Sequence, residues 1–183
     1  IVIIPFSALS LQRTPDWQNR ESLYEADIPK LRESAKANNL YANHLIAKVY
    51  EGIKHQVPLQ QMDEIIQLSI KHYNQALIVD STYANVYHNL GYIYLIIGRD
   101  YKTSEHYFTG CIERDTTIPE AYMNRGVCRF HLEQYEKSLS DLEKSKSFNL
   151  EKEMDKIFYY SVQIYEIQGD YEKASQAYDS ALF

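Results

Sequence analysis

The stretch of sequence that decides the fold is residues 87–108, YHNLGYIYLIIGRDYKTSEHYF. Its large and small side chains recur at the three- and four-residue spacing that places residues on one face of an α-helix. One such set is Tyr87, Leu90, Gly91 and Tyr94, and a second is Ser104, Phe108, Cys111 and Ile112. Between the two sets, Gly98 predicts a helix end, because glycine most readily adopts the left-handed conformation found there. The stretch therefore predicts two amphipathic helices that pair as a hairpin.

The same order of large and small residues recurs along the chain at steps of about 35 residues. Later in the chain the matching positions are Tyr122, Gly126, Tyr135, Ser138 and Leu142, and then Phe158, Tyr165, Gly169, Tyr171, Ala174 and Tyr178. Earlier in the chain they are Tyr50, Ser69, Tyr73, Ala76 and Leu77, with a longer connection between the two helices. We expect the small residues to let paired helices approach closely while the aromatic residues fill the space beside them.

This pattern resembles the tetratricopeptide repeat family, over residues 40–183 and about four units, of which the last is cut short. Some positions depart from the family pattern: Arg125 and Arg129 replace a leucine and a tyrosine, and Ser161-Val162 replaces Leu-Gly. The resemblance implies an all-α fold, a right-handed α-solenoid of stacked antiparallel helical hairpins. We expect about eight repeat helices and no sheet, because each hairpin needs neighbours to bury its apolar side.

In that family the first helix of each hairpin lines a concave, partner-binding groove. The same phase in this chain predicts a groove lined by His44, Lys48, His88, Asn89, Tyr92, Met123, Asn124, Val127, Tyr159 and Gln163. These side chains are a mixture of polar and aromatic groups, which is enriched where proteins meet their ligands. We therefore expect a protein or peptide partner, with Tyr92 and Asn124 as the main contacts.

Some members of the family hold the C-terminal carboxylate of heat-shock chaperones with lysines, asparagines and an arginine. Asn89 and Asn124 match the asparagines of that set, but one alignment lacks the cations. A shift by one unit recovers Lys156 and places Tyr160 where the arginine belongs. Asparagines without cations hold a carboxylate only weakly, so the sequence argues against recognition of chaperone tails.

The residues before the repeats do not fit the pattern. Residues 1–12 form an apolar segment, and residues 13–39 predict leading helices. An apolar stretch followed by Arg13, Trp17 and the pair Leu23-Tyr24 is similar to the junction after the last membrane span of mannosyltransferase-like membrane proteins with C-terminal tetratricopeptide arrays. The alternative is an ordinary N-terminal cap helix.

The junction resemblance implies a longer parent protein. The chain starts without methionine and stops inside a helical pattern, so we expect both ends to lie within a larger polypeptide. Residues before Ile1 would then anchor the parent in a membrane, and the parent would be a glycosyltransferase. Its repeat domain would be extracytoplasmic (periplasmic), with a cytoplasmic location as the alternative.

Composition and motifs argue against chemistry in the chain itself. The formal charge of -6 comes from interleaved acids and bases with no basic run, which argues against nucleic-acid binding. Six histidines are scattered without the i, i+4 spacing of a zinc-binding helix, and HExxH, GxSxG, P-loop and GxGxxG motifs are absent. Cys111 and Cys128 are too few for a zinc site, and the sequence leaves open whether they pair. We predict no catalytic residue, no metal and no cofactor.

Two functional interpretations remain. In the first, the chain is an interaction scaffold whose groove binds a segment of a partner protein. In the second, it is a structural appendage that self-associates into a homo-oligomer or packs on its own membrane domain. An isolated array that stays monomeric and captures a defined partner would favour the first.

Overall fold

The computed structural model describes residues 32–148 and 153–181, which contain helices, turns and short connections but no strand. The α-helices are α1 (Ala35–Lys54), α2 (Asp63–Val79), α3 (Ala84–Ile93), α4 (Tyr101–Arg114), α5 (Pro119–His131), α6 (Tyr135–Lys146), α7 (Met154–Ile167) and α8 (Tyr171–Ala181). A 3-10 turn covers Leu59–Gln61 and a π-turn covers Tyr94–Gly98. For these residues the prediction of an all-α fold with eight repeat helices in antiparallel pairs is confirmed.

The chain divides into two compact units between Tyr83 and Ala84. The described part of the first unit is the hairpin of α1 and α2. Helix α1 begins at Ala35 because the side chain of Ser34 caps it, accepting a hydrogen bond from the amide of Ala37. The helix thus starts before residue 40, inside the segment 13–39 for which the sequence predicts leading helices. The predicted segment 1–12, and most of residues 13–39, lie outside the described residues.

Polar contacts inside the first hairpin supplement its apolar core. The hydroxyl of Tyr73, a fully buried residue, donates to Asn43 Oδ1 at 2.6 Å. His72 Nδ1 lies 2.8 Å from Asn38 Oδ1. These contacts tie α1 to α2 across the hairpin, where buried polar groups need partners.

The second unit contains three hairpins, formed by α3 with α4, α5 with α6, and α7 with α8. Consecutive hairpins pack together, α4 on α5 and α6 on α7, and α7 also contacts α5. The predicted role of the small residues is confirmed at Gly91, where an added Cβ would lie 2.9 Å from the ring of Phe108. At Gly126 an added Cβ would lie 3.1 Å from Leu142. The paired helices therefore approach too closely for larger residues at these two points.

The end of the first helix in the α3/α4 hairpin differs from the prediction. The residue in the left-handed conformation is Arg99, with φ of 48°, whereas Gly98 belongs to the π-turn. The amide of Arg99 donates to the carbonyl of Tyr94, five residues back, as a π-turn requires. Gly91 and Ser104 lie one position further apart in the sequence than Gly126 and Ser138, the corresponding small residues of the next hairpin. The π-turn accommodates this extra residue and moves the helix end by one position.

The two arginines that depart from the repeat pattern belong to a largely buried charge network. Arg125 binds both carboxylate oxygens of Asp141, at 2.8 and 2.7 Å. Arg129 donates to the same Asp141 at 2.8 Å and to Glu105 at 2.8 Å. The four side chains are between 5% and 20% exposed, and their charges balance. Burial lowers the pKa of the Arg125 guanidinium, but the hydrogen bonds and charge of Asp141 outweigh it, so the pKa is raised. The network joins α5 to both α4 and α6.

Candidate functional site

The predicted groove residues are divided between the two units. His44 and Lys48 lie on α1 in the first unit, where both are half-buried. The other eight lie on α3, α5 and α7 in the second unit. Each helix of the second unit gives its predicted residues a different environment.

On α3, the residues His88, Asn89 and Tyr92 are half-buried. The ring of His88 stacks on Tyr92 with centroids 6.4 Å apart, and it meets the edge of Phe108 at 5.6 Å. Burial lowers the pKa of His88, although its hydrogen bond with Asn89 and the charge of Glu120 oppose the shift. Tyr92 packs against a buried core formed by Leu95 and by residues of α4 and α5. The three predicted groove residues of α3 therefore contribute to the core packing as well as to the surface.

On α5, the exposure expected of Met123, Asn124 and Val127 is not found, since they are only 2%, 2% and 3% exposed. Helix α7 covers this face: Met123 packs with Ile157, and Lys156 Nζ donates to Asn124 Oδ1 at 3.2 Å. Burial lowers the pKa of the Lys156 ammonium. In this conformation the side chain of Asn124 is hydrogen-bonded to α7 and exposes little surface to a partner.

On α7, two predicted residues, Tyr159 and Gln163, lie together in an open groove. This surface, the α7/α8 groove, has a volume of about 390 Å³ and is lined by Asp155, Phe158, Tyr159, Val162, Gln163, Glu166 and Tyr178. Tyr159 is 61% exposed and Tyr178 is 60% exposed. The five lining residues that the sequence analysis missed include the apolar floor and both carboxylates.

Charge and polarity are unevenly distributed in the α7/α8 groove. Its charged lining residues, Asp155 and Glu166, are both acids. The amide nitrogen of Gln163 is buried and has no hydrogen-bond partner among the described residues. A smaller cleft of about 250 Å³ between α6, α7 and α8 differs, since Lys146 and Lys173 line it together with Glu143. Lys173 is already paired with Asp170 at 2.7 Å.

The two cysteines are unpaired and buried. Burial raises the pKa of each thiol to about 11, so both stay protonated near neutral pH. The Cys128 thiol donates to the Ser104 hydroxyl at 3.2 Å, which integrates it into the core. Within residues 32–148 and 153–181, histidine, cysteine and acidic side chains nowhere gather in threes as a metal site requires. In the same residues, every helix is too short or too polar to cross a membrane.

The chain is similar in sequence and in structure to known repeat proteins. A family model for the tetratricopeptide repeat matches residues 84–117, which cover the α3/α4 hairpin. A curated relative, the Hsp70-Hsp90 organizing protein of Triticum aestivum, is 30% identical over 135 residues, or 72% of this chain. The match covers 21% of that relative, so this chain spans about a fifth of its length.

Solved structures with the same fold are more distant in sequence. The crystal structure of MamA is 14% identical with a TM-score of 0.70, and the match covers 99% of this chain and 95% of that one. PilW, described as a type IV pilus biogenesis factor, is 16% identical with a TM-score of 0.63 over 94% of this chain and 73% of its own. PilF of Pseudomonas aeruginosa is 20% identical with a TM-score of 0.58 over 82% and 77%. At these identities the likeness concerns the arrangement of paired helices.

Proposed function

We propose, from the premise that this chain is a tetratricopeptide repeat protein, that it is a scaffold that binds a segment of a partner protein. The observation that carries the proposal is the α7/α8 groove, which exposes Tyr159 and Tyr178 above an apolar floor. Exposed tyrosines at a concave surface supply a large contact area at a low cost in side-chain entropy. A repeat scaffold also suggests a non-enzymatic role for the chain itself.

The groove supports a narrower contact surface than the ten residues predicted from sequence. Tyr159 and Gln163 remain proposed contacts, because both line the open groove. Met123 and Asn124 are not part of the proposal, since α7 already covers them. Val127 is also left out, because it is buried in a core shared with α4. His44 and Lys48 are proposed contacts only on sequence grounds, within the first unit.

The alternative is that the exposed surface mediates self-association as a structural appendage. Exposed Tyr159, Ile167, Tyr171 and Tyr178 all belong to the last hairpin, and an apolar surface of this kind also suits a second copy of the chain. The oligomeric state in solution distinguishes the two interpretations.

We also propose that the parent is a multi-spanning membrane protein related to glycosyltransferases, with the repeats on its periplasmic side. Support for this part comes from the junction pattern of Arg13, Trp17 and Leu23-Tyr24 after the apolar residues 1–12. The test is the sequence that precedes Ile1 in the parent: several long apolar segments there would support the proposal, and their absence would contradict it.

The first prediction concerns Tyr159→Ser. We expect this variant to lose capture of protein partners from extracts of the source organism while its urea unfolding midpoint stays close to that of the original chain, because the side chain is mostly exposed. Affinity capture with quantification of the recovered proteins is the measurement.

Tyr171→Ser is the matched control, since Tyr171 is 71% exposed on α8 and does not line the groove. The control variant should capture the same proteins as the original chain. If both variants capture them equally, the groove is not the binding surface. If sedimentation instead shows that the original chain is a dimer and that the Tyr159→Ser variant is a monomer, the appendage interpretation is correct.

A further inference from the structure

The α7/α8 groove corresponds to a surface that is already occupied one hairpin earlier in the chain. Helix α5 ends at His131 and helix α7 ends at Ile167, and Tyr122 and Phe158 occupy the same repeat position, so equivalent positions are offset by 36 residues. At this offset Met123 corresponds to Tyr159, and Val127 corresponds to Gln163. The face of α5 that bears Met123 is covered by the amphipathic helix α7. Among the described residues, the equivalent face of α7 is open.

The exposure of this face changes in the same comparison. Met123 on α5 is 2% exposed, whereas its equivalent on α7, Tyr159, is 61% exposed. Asn124, beside Met123, is 2% exposed and accepts a hydrogen bond from Lys156 of the covering helix. Helix α7 therefore covers α5 with an apolar seam and one lysine at its edge. The chain thus contains its own example of the kind of helix that fits this face.

The open face has a charge that selects among such helices. Asp155 and Glu166 lie eleven positions apart on α7 and line the groove near its two ends, about 16 Å apart along the helix axis. No lysine or arginine is among the lining residues, and the chain has a net charge of -6. Carboxylates in this position attract cations and repel acids on an approaching helix. The buried amide of Gln163 offers a donor for which the chain supplies no acceptor among the described residues.

We propose that the α7/α8 groove binds an amphipathic α-helix from another protein, one with a seam of aliphatic residues flanked by lysine or arginine. The seam would pack on Tyr159, Val162 and Tyr178, since Phe158 is 7% exposed and offers little surface, and the flanking cations would pair with Asp155 and Glu166. This inference rests on the proposed scaffold function and adds the chemistry of the partner.

The test uses the full chain and two synthetic helical peptides of about 18 residues that share one leucine seam. One peptide carries lysines beside the seam and the other carries glutamates in the same places. Fluorescence anisotropy of the labelled peptides measures their affinities. We expect the lysine peptide to bind and the glutamate peptide to bind at least tenfold more weakly, with the preference reduced by added salt.

Charge variants locate the binding to the groove. The double variant Asp155→Asn, Glu166→Gln removes both carboxylates at nearly constant shape, and it should weaken binding of the lysine peptide by roughly two- to thirtyfold, the range for two exposed ion pairs. The control Glu172→Gln, Asp179→Asn changes two exposed acids of α8 that do not line the groove, and it should leave the affinity unchanged. Tyr159→Ser should weaken binding of both peptides.

Several outcomes would overturn the inference. The inference is wrong if the two peptides bind with equal affinity, if the two double variants have equal effects, or if neither peptide binds. It is also wrong if the chain is a dimer that the Tyr159→Ser substitution dissociates. If Tyr159-dependent capture of cellular proteins persists while the peptides show no charge preference, the scaffold function stands and only the partner chemistry is wrong. If the lysine peptide binds as expected but capture does not depend on Tyr159, the scaffold proposal itself fails.

Discussion

Single residues in the second unit show how the chain departs from a regular repeat without losing its packing. Arg125 and Arg129 occupy positions where the pattern has apolar residues, and each finds a carboxylate within 2.8 Å. Asp141 accepts bonds from both arginines and is only 5% exposed. An unpaired charge at this depth costs far more than the pair contributes, so the network is sensitive to loss of any one member.

Replacement of the shared carboxylate should destabilise the second unit strongly. We expect Asp141→Asn to lower the free energy of unfolding by about 3–5 kcal/mol, because it leaves two buried guanidinium groups short of negative charge. Urea denaturation followed by circular dichroism measures the change. The exposed Asp179→Asn is the control and should change the free energy by less than about 0.5 kcal/mol. Equal effects would show that the network is not stabilised by its charge balance.

His88 should make the stability depend on pH. Burial lowers its pKa in the folded chain below the ordinary value of 6.5, so the unfolded chain binds the proton more readily. The stabilisation is therefore fully present above pH 6.5 and is lost as the pH falls through the folded-state pKa. We expect the urea midpoint to decrease from pH 7.5 to pH 5, and to decrease less in His88→Gln. His72 and His131 shift in the same direction and leave a residual dependence. An identical pH profile in the variant would contradict the assignment.

At the scale of helices, one hydrogen bond recurs where the paired helices cross. The hydroxyl of Ser69 donates to the carbonyl of Ala42 at 3.1 Å, Ser104 donates to Gly91 at 2.7 Å, and Ser138 donates to Gly126 at 2.7 Å. The last hairpin differs, with Ala174 on the second helix and Ser161 on the first. The Ser161 hydroxyl is buried and has no hydrogen-bond partner among the described residues.

This difference predicts opposite outcomes for one type of substitution. Ser138→Ala should lower the free energy of unfolding by about 0.5–1.5 kcal/mol, because it removes a buried hydrogen bond. Ser161→Ala should leave it unchanged or raise it by up to about 1 kcal/mol, because it removes a buried hydroxyl that has no partner. Parallel urea titrations of the two variants provide the measurement. Destabilisation of similar size in both would indicate that the Ser161 hydroxyl is satisfied in solution.

For the molecule as a whole, the hairpins were predictable because their signal repeats. Gly91, Gly126 and their serine partners mark close helix crossings, and crossings at a fixed period specify stacked helical pairs. The charge network was less accessible to sequence reasoning. Arg125 and Arg129 were visible as departures, but their partners Glu105 and Asp141 lie on different helices. Two arginines four residues apart on a core-facing side are the signal that acids should be sought on both neighbours.

The binding surface was only partly predictable for a related reason. Helical phase shows that Met123, Asn124 and Tyr159 lie on corresponding faces of their helices. It does not show which face another helix covers, because burial depends on how the following hairpin packs. Asn124 is buried because α7 packs on α5, whereas no helix among the described residues covers Tyr159. Val162 was missed because its apolar character suggested core, and Phe158, at 7% exposed, does belong largely to the core.

Repeat arrays are commonly regarded as interchangeable modules that can be duplicated, deleted or reordered. The arginines of α5 restrict that freedom, since they take one acid from the preceding hairpin and one from within their own. Moving residues 119–148 behind a hairpin that lacks the acid of α4 would leave Arg129 with fewer carboxylates to pair with. If the α5/α6 hairpin were duplicated in tandem, the arginine equivalent to Arg129 in the second copy would follow α6 of the first copy. That α6 would then need an acid at the position equivalent to Glu105. The order of these hairpins is thus encoded in side-chain chemistry, and lineages of such proteins should change this part of the array by paired substitution before they change it by rearrangement.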